Sequence, residues 1–494
     1  MIRNPIIRGF NPDPSVCKGH DGYYLAVSSF EYYPAIPIYK SVDLINWELI
    51  NYALSSNIDY LKLDNTPDSQ GLFAPTIRFY NNRYYVISTV LNTTKPRLTE
   101  NFLVYTENPH KKWSKPVSLD IDGIDPSLYF EDGIGYIQYS SNDSNGISCT
   151  MQCEINLDTF ELGESKIISY GTGGRDAEAP HLFKKNGKYY LLMAEGGTRE
   201  GHMVTILSSK NIWGPYLPYE NNPILTHRDL SCHPFQNVGH ADIVKDDLGN
   251  WYMFALGVRP KGMFKHNLGR EVMIKPFKWD NEWPEIDGPI NVIEKDIKVK
   301  QKRNNSIVYN WKELNTIPIE FISMRNSYNN YANIKNNYLM LKATPNKISD
   351  ANEPAVLLLK QKEYNFIINS TINLSLSKGY NGLVVLNGSK NFITITIKDS
   401  NIEVVKRCYD LEVVEHYKVS NKDQITLFIK GNERDYIVGY ENQELTKMSR
   451  ELLSTELSES PFTGVLFGNY SKDLGSVGYF EKTEVIFEEE NIEG

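Results

Sequence analysis

One pattern recurs five times in the first 290 residues and restricts the chain to very few architectures. A short anchor carrying Asp or Ala-Pro comes first, then a tight turn with Gly or Asn, then a tyrosine-rich strand. The copies are Pro12-Asp13-Pro14-Ser15 before Gly22-Tyr23-Tyr24, Ala74-Pro75-Thr76 before Arg83-Tyr84-Tyr85, and Asp125-Pro126-Ser127 before Gly135-Tyr136. Two more follow: Ala179-Pro180-His181 before Gly187-Lys188-Tyr189-Tyr190, and Ala241-Asp242-Ile243 before Gly249-Asn250-Trp251-Tyr252. Successive anchors stand about 50–60 residues apart, the spacing of propeller-type repeats.

Inside each repeat several short strand-like runs alternate with turn residues. In the first they cover residues 24–29, 36–41 and 47–50, and in the fourth 189–194 and 203–208. Such a repeat makes one four-stranded blade, so residues 1–297 are expected to form a five-bladed β-propeller. A generic β-sandwich with accidental internal similarity is the competing reading. Residues 298–306 are polar and charged and read as a linker. Beyond them the anchors stop. Strand-like runs follow at 338–342, 355–359, 366–374, 383–386, 392–397, 402–405, 425–429, 462–467 and 484–487. Strict alternation in Phe392-Ile393-Thr394-Ile395-Thr396-Ile397 fits a two-layer, jelly-roll-like β-sandwich over residues 307–494. Helical periodicity is weak throughout, and the expected fold class is all-β.

Charge and composition narrow the partners. Lys and Arg number 52 against 61 Asp and Glu, a formal net charge of −9. That argues against nucleic acid and against an anionic membrane surface, both of which require clustered positive charge. No apolar run approaches bilayer length, and the N-terminus lacks the apolar stretch of a signal peptide. The five cysteines, Cys17, Cys149, Cys153, Cys232 and Cys408, are sparse, odd in number and without zinc-type spacing. They read as free thiols in a reducing compartment. The expected setting is cytoplasmic, with small imported substrates.

A propeller gathers the starts of its inner strands at one end of a central channel. Blade one offers Asp13 there, blade three Asp125, and blade four Glu178, just before Ala179-Pro180. Blade five offers His240 and Asp242, and blade two only Phe73-Ala74-Pro75. Three carboxylates from three blades suit glycoside hydrolysis. One protonates the leaving oxygen, another activates water or attacks the sugar, and a third can raise the acid's pKa by like-charge repulsion. A single Asp-Pro, by contrast, is ordinary turn chemistry.

Asn11-Pro12-Asp13-Pro14-Ser15, Gly123-Ile124-Asp125-Pro126-Ser127, Glu178-Ala179-Pro180-His181 and Gly239-His240-Ala241-Asp242, in this order, resemble glycoside hydrolase family 43. The match is to its two-domain β-xylosidase branch, whose members often also show α-L-arabinofuranosidase activity, and it spans the whole chain. The resemblance implies hydrolysis with inversion, with Asp13 as general base, Glu178 as general acid and Asp125 tuning and orienting the acid. It further implies that Phe30, Phe73, Thr198 and Arg270 line the sugar pocket. Phe73 stands where the family commonly has Trp. His240 would point into the channel, ordering water or, in some members, helping to hold calcium, so a structural or modulatory calcium ion is entertained but no cofactor is required. A loop of the second domain would carry an aromatic to the pocket, for which Phe480 is the candidate. The implied substrates are short xylo-oligosaccharides or arabinofuranosides, and a homo-oligomer is expected. A non-catalytic carbohydrate-binding propeller is the rival from another class, and it would not need all three carboxylates.

Overall fold

The structure, a computed structural model, describes residues 1–55, 63–262, 264–458 and 460–489. Five antiparallel sheets of four or five strands succeed one another along the first part of the chain. Their innermost strands are Ser15–Lys18, Thr76–Tyr80, Ile124–Glu131, Glu178–Lys185 and Gln236–Lys245. Each inner strand neighbours the next, and the fifth neighbours the first, so the blades close into a ring. The described residues contain no α-helix, only three single-turn 3-10 segments. None is long and apolar enough to cross a membrane.

The tyrosine doublets explain why blades form and stack. Successive strand residues face opposite sides of a sheet. Tyr23 therefore packs in the apolar cluster between blades five and one, and Tyr24 in the cluster between blades one and two. Tyr84 and Tyr85 divide in the same way between the seams on either side of blade two. Tyr190 serves the seam between blades four and five, while Tyr189 packs against the seam between blades three and four. All five seams have their own apolar cluster. A tyrosine fills such a gap with its ring and keeps its hydroxyl at the wet rim. The ring is locked by the N-terminus, whose Ile2–Arg3 pairs with Ile293–Glu294 and whose Ile7 bridges Val272 of blade five.

The second region is one strongly curled sheet of thirteen strands whose two layers face each other. A single 23-residue strand, Leu466–Glu488, runs through both layers. Its first part pairs with Lys378–Asn387 and Val356–Lys360, its last part with Asn365–Asn373 and Ser306–Asn310.

The two regions share a core. One apolar cluster joins Phe10, Phe30 and Tyr32 of the propeller to Ile322, Leu358, Val384 and Leu466 of the sandwich. Ser323–Met324 pairs with Tyr32–Tyr33 across the boundary. A buried ion network adds specificity: Arg259 binds Glu271 at 2.7 Å and Glu363 at 2.6 Å, and Arg8 reaches the same Glu363 at 2.9 Å. The linker itself is pinned to blade one, with the Asn46 side chain bonded to the Lys300 carbonyl and the Lys302 amide.

Candidate active site

Strand register defines which anchor residues are equivalent. Ser127, His181 and Asp242 each pair with the second strand of their blade directly after a bulge, and Ser15 occupies the same place in blade one. Two residues earlier stand Asp13, Asp125, Ala179 and His240, all with positive φ: 56°, 50°, 51° and 43°. Asp and His tolerate this left-handed conformation better than most residues, and bulges commonly re-aim side chains beside a functional site. Glu178 therefore does not hold the position of the two aspartates. It lies one residue earlier, level with Ile124 and Gly239. Repeat logic places all three acids at equivalent positions; the register corrects that by one residue.

A cavity of about 580 Å³ opens at this end of the channel and is lined by Asp13, Asp125, Glu178, Phe30, Phe73, Thr198, His240 and Arg270. Asp13, only 4% exposed, accepts from Arg270 at 3.0 Å and from the Ser28 hydroxyl at 2.5 Å, and His240 Nδ1 lies 3.5 Å away. Burial would raise the Asp13 pKa, but Arg270, then His240 and Ser28, outweigh it and hold the carboxyl below its ordinary value. Glu178 faces the opposite balance. Burial first, then the charges of Asp176 and Asp13, lift its pKa to about 7. Asp125 is driven upward too, by burial and by the nearby Glu178. The same cavity thus holds Asp13, kept ionised, beside Glu178, which keeps its proton close to neutrality, while Asp125 is displaced in the same direction as Glu178. A pair such as Asp13 and Glu178 can activate water and protonate a leaving group.

Three phenylalanine rings wall the pocket. Phe30 lies 5.3 Å from Phe73 and 5.8 Å from Phe462, and Phe73 lies 6.1 Å from Phe462. The Arg270 guanidinium rests 5.6 Å over Phe30 and 5.2 Å over Phe462. It also donates to Thr198 at 3.1 Å. Thr198 sits on the loop that begins with Gly196, where φ is +86° and a Cβ would lie 2.0 Å from the Gly201 carbonyl oxygen.

Residues 2–284 match the family described as glycosyl hydrolases family 43, and residues 311–484 match its β-xylosidase C-terminal concanavalin A-like domain. The chain belongs to glycoside hydrolase family 43. A non-reducing end α-L-arabinofuranosidase of Bacteroides ovatus is 31% identical, over 96% of this chain and 92% of its own length. A xylosidase/arabinosidase of Butyrivibrio fibrisolvens is 33% identical, over 80% of each chain. The solved GH43B structure from the Bacteroides ovatus xyloglucan locus superposes with a TM-score of 0.91 at 29% identity, over 99% of this chain and all of that one.

Of the residues expected in the pocket of this family 43 enzyme, all but one are brought together there. Phe480 is not. It is 0% exposed, pairs with Leu339 and belongs to the sandwich core, because alternation along Leu466–Glu488 turns it inward. The aromatic that the second domain supplies is Phe462, on the loop just before that strand. Its amide donates to Ser69 Oγ at 3.2 Å, its carbonyl accepts from Arg270 at 3.4 Å, and Pro461 lines the pocket beside it. Phe462 also packs against the apolar cluster that joins the two regions.

Three further residues escaped the sequence reading. Asp176 stands two residues before Glu178 and is the main charge raising its pKa. His202 lines the pocket with Nδ1 2.9 Å from the Asn237 carbonyl, and its ring leaves no room for a Cβ at Gly239, which would lie 2.4 Å away. Arg78 crosses the channel one step below. It holds Asp242 through both oxygens, at 2.7 and 3.2 Å, and meets His181 Nδ1 at 3.0 Å. Burial works against ionisation of Asp242, but Arg78 prevails and its pKa settles at about 2. Calcium needs six or more oxygen ligands. Around His240 the carboxylates are already engaged, Asp13 by Arg270 and Asp242 by Arg78. Among the described residues no group of three or more His, Cys, Asp or Glu could hold a metal ion. Asp13 and Asp242 are therefore not free carboxylates for a calcium ion; each already faces a guanidinium.

Proposed function

We propose that this family 43 enzyme is an exo-acting β-xylosidase that releases xylose from the non-reducing ends of short xylo-oligosaccharides with inversion. In this reading Asp13 is the general base that activates water. Glu178 is the general acid that protonates the leaving oxygen, and Asp125 tunes and orients it. The observation that carries the reading is the opposed displacement of two carboxyl pKa values in one cavity, Asp13 downward and Glu178 up to about 7. Two titratable groups pushed apart in this way support an acid and a base in these roles. The second domain's likeness to β-xylosidase C-terminal domains supports the substrate. The wall that Pro461 and Phe462 add to the pocket supports exo action, since it closes one side of the cavity around a terminal sugar.

An α-L-arabinofuranosidase is the second reading, favoured by the name of the Bacteroides ovatus relative that matches nearly the whole chain. The two sugars present similar hydroxyls, and one pocket can serve both.

Proton NMR of xylobiose hydrolysis tests the proposal directly. The expected first product is α-xylose. Initial β-xylose overturns inversion, and an inert xylobiose alongside rapid turnover of arabinofuranosides moves the conclusion to the second reading.

A further inference from the structure

We propose that the cavity between the two domains is a second binding site, for a small organic acid that carries one carboxylate on a flat, largely apolar body. The cavity encloses about 360 Å³ and has no lining residue in common with the active-site pocket. It forms where the N-terminal segment, blade one, the linker and the sandwich meet. Trp47 and Tyr52 come from blade one, and Tyr309 and Phe487 from the sandwich. These rings offer a planar body the apolar contact that ligand pockets of this size usually provide.

The charges call for an anion. Lys360 and Lys362 both line the cavity. Among the described residues, the Lys360 ammonium has one hydrogen-bond partner, Asn11 Oδ1 at 2.8 Å, and otherwise rests 5.4 Å over the Phe10 ring. The Lys362 ammonium stands 6.0 Å over the Phe487 ring, with no hydrogen bond or ion pair among the described residues. Unlike the two lysines, Arg303, also on the cavity wall, is paired with Glu489 at 3.5 Å, and only its buried Nε lacks a partner. Neighbouring cations are treated differently: Arg8 is answered by Glu363 and Glu489, and Arg259 by Glu271 and Glu363. Lys360 and Lys362 are half-buried, and a cation taken partly out of water without a counter-charge is unfavourable. Burial, with Lys362 nearby, lowers the Lys360 pKa to about 7, and burial with Arg8 lowers that of Lys362 against the pull of Glu320. A carboxylate placed between the two lysines would supply the missing charge. Glu320, the one carboxylate on the cavity wall, already accepts from Tyr309 at 2.8 Å. A carboxylate oxygen can accept a further bond, so Glu320 would also take a hydroxyl on the ligand's ring. A neutral sugar would leave both ammonium groups unanswered, and inorganic phosphate would leave the aromatic wall unused.

Isothermal titration of the full-length enzyme with 4-hydroxybenzoate tests this, with xylose in excess to fill the active site. The expected result is binding that xylose does not displace. Acetate, which lacks the ring, and benzyl alcohol, which lacks the charge, should each bind about tenfold more weakly or worse, as expected for loss of a charge-assisted contact or of apolar burial. Lys360→Met should abolish binding. Should that variant fail to fold, Lys362→Met, which touches nothing in the active site, should weaken binding by a similar factor while turnover of xylobiose stays unchanged. Displacement by xylose, equal affinity for benzyl alcohol, undiminished binding in Lys362→Met, or no heat at millimolar probe would each overturn the site.

Discussion

Blades one and three carry the same tripeptide, Asp-Pro-Ser, at the same register and with nearly the same φ, yet their aspartates are driven in opposite directions. Asp13 meets a guanidinium from blade five, a hydroxyl from its own blade and a histidine. Asp125 meets the acid of blade four. The repeated motif supplies a place and an orientation. The neighbouring blades, which do not repeat, decide whether the carboxyl is ionised. Function in a propeller of this kind therefore lies in the departures from its repeat.

The sharpest way to break the comparison is to remove the group that is held ionised. Asp13→Asn is expected to lower kcat/KM about 10⁴-fold, the upper range for a general base, on xylobiose and on nitrophenyl xyloside alike; a loss confined to one substrate would contradict the role. Glu178→Ala should cost about 10³-fold on xylobiose but far less on the nitrophenyl substrate, whose leaving group needs little protonation. Equal losses would remove Glu178 from the acid role.

Arg270→Met makes Asp13 resemble Asp125. The free-enzyme pH profile should fall at low pH as Asp13 gains a proton, and at high pH as Glu178 loses its own near 7. Without Arg270 the acid limb should move upward, and kcat/KM should drop about 10–100-fold for the lost charged contacts. An unmoved acid limb would show that Arg270 does not hold Asp13 down.

Phe462 and Phe480, both in the sandwich, form a matched pair. Phe462→Ala should raise KM about tenfold through loss of a pocket wall and leave stability nearly intact. Phe480→Ala should reverse this, lowering stability by about 3–5 kcal/mol with KM unchanged; thermal melts beside steady-state kinetics separate them. The smallest effect is expected from Asp176→Asn, which removes a charge that lifts Glu178 and should move the basic limb below 7 with little change at its plateau.

Much of this was legible in the chain. Anchor spacing gives five blades, and strict alternation gives the sandwich. The carboxylates could be found because repeats superpose, but the one-residue offset of Glu178 could not, since bulges shift register without a reliable mark in the residues. Strands Leu411–Lys418 and Gln443–Ser449 escaped because both are largely exposed and lack an apolar face to reveal them. Local pattern divides the 23-residue strand in two, at 462–467 and 484–487. Its middle, Ser471-Lys472-Asp473-Leu474-Gly475-Ser476, has turn composition, with φ of 65° at Asp473 and 97° at Gly475. Arg78 and Phe462 act through contacts between distant segments, which no local pattern encodes.

The Phe462 loop leads directly into the strand that threads both sandwich layers, and on the propeller side it is gripped by Ser69 and Arg270. Part of the sugar's container is thus inherited with the C-terminal half. A recombination event or an engineer exchanging that half between relatives would be trading selectivity as much as scaffold. A propeller expressed alone would keep its acids and lose the shape that tells them which sugar to cut.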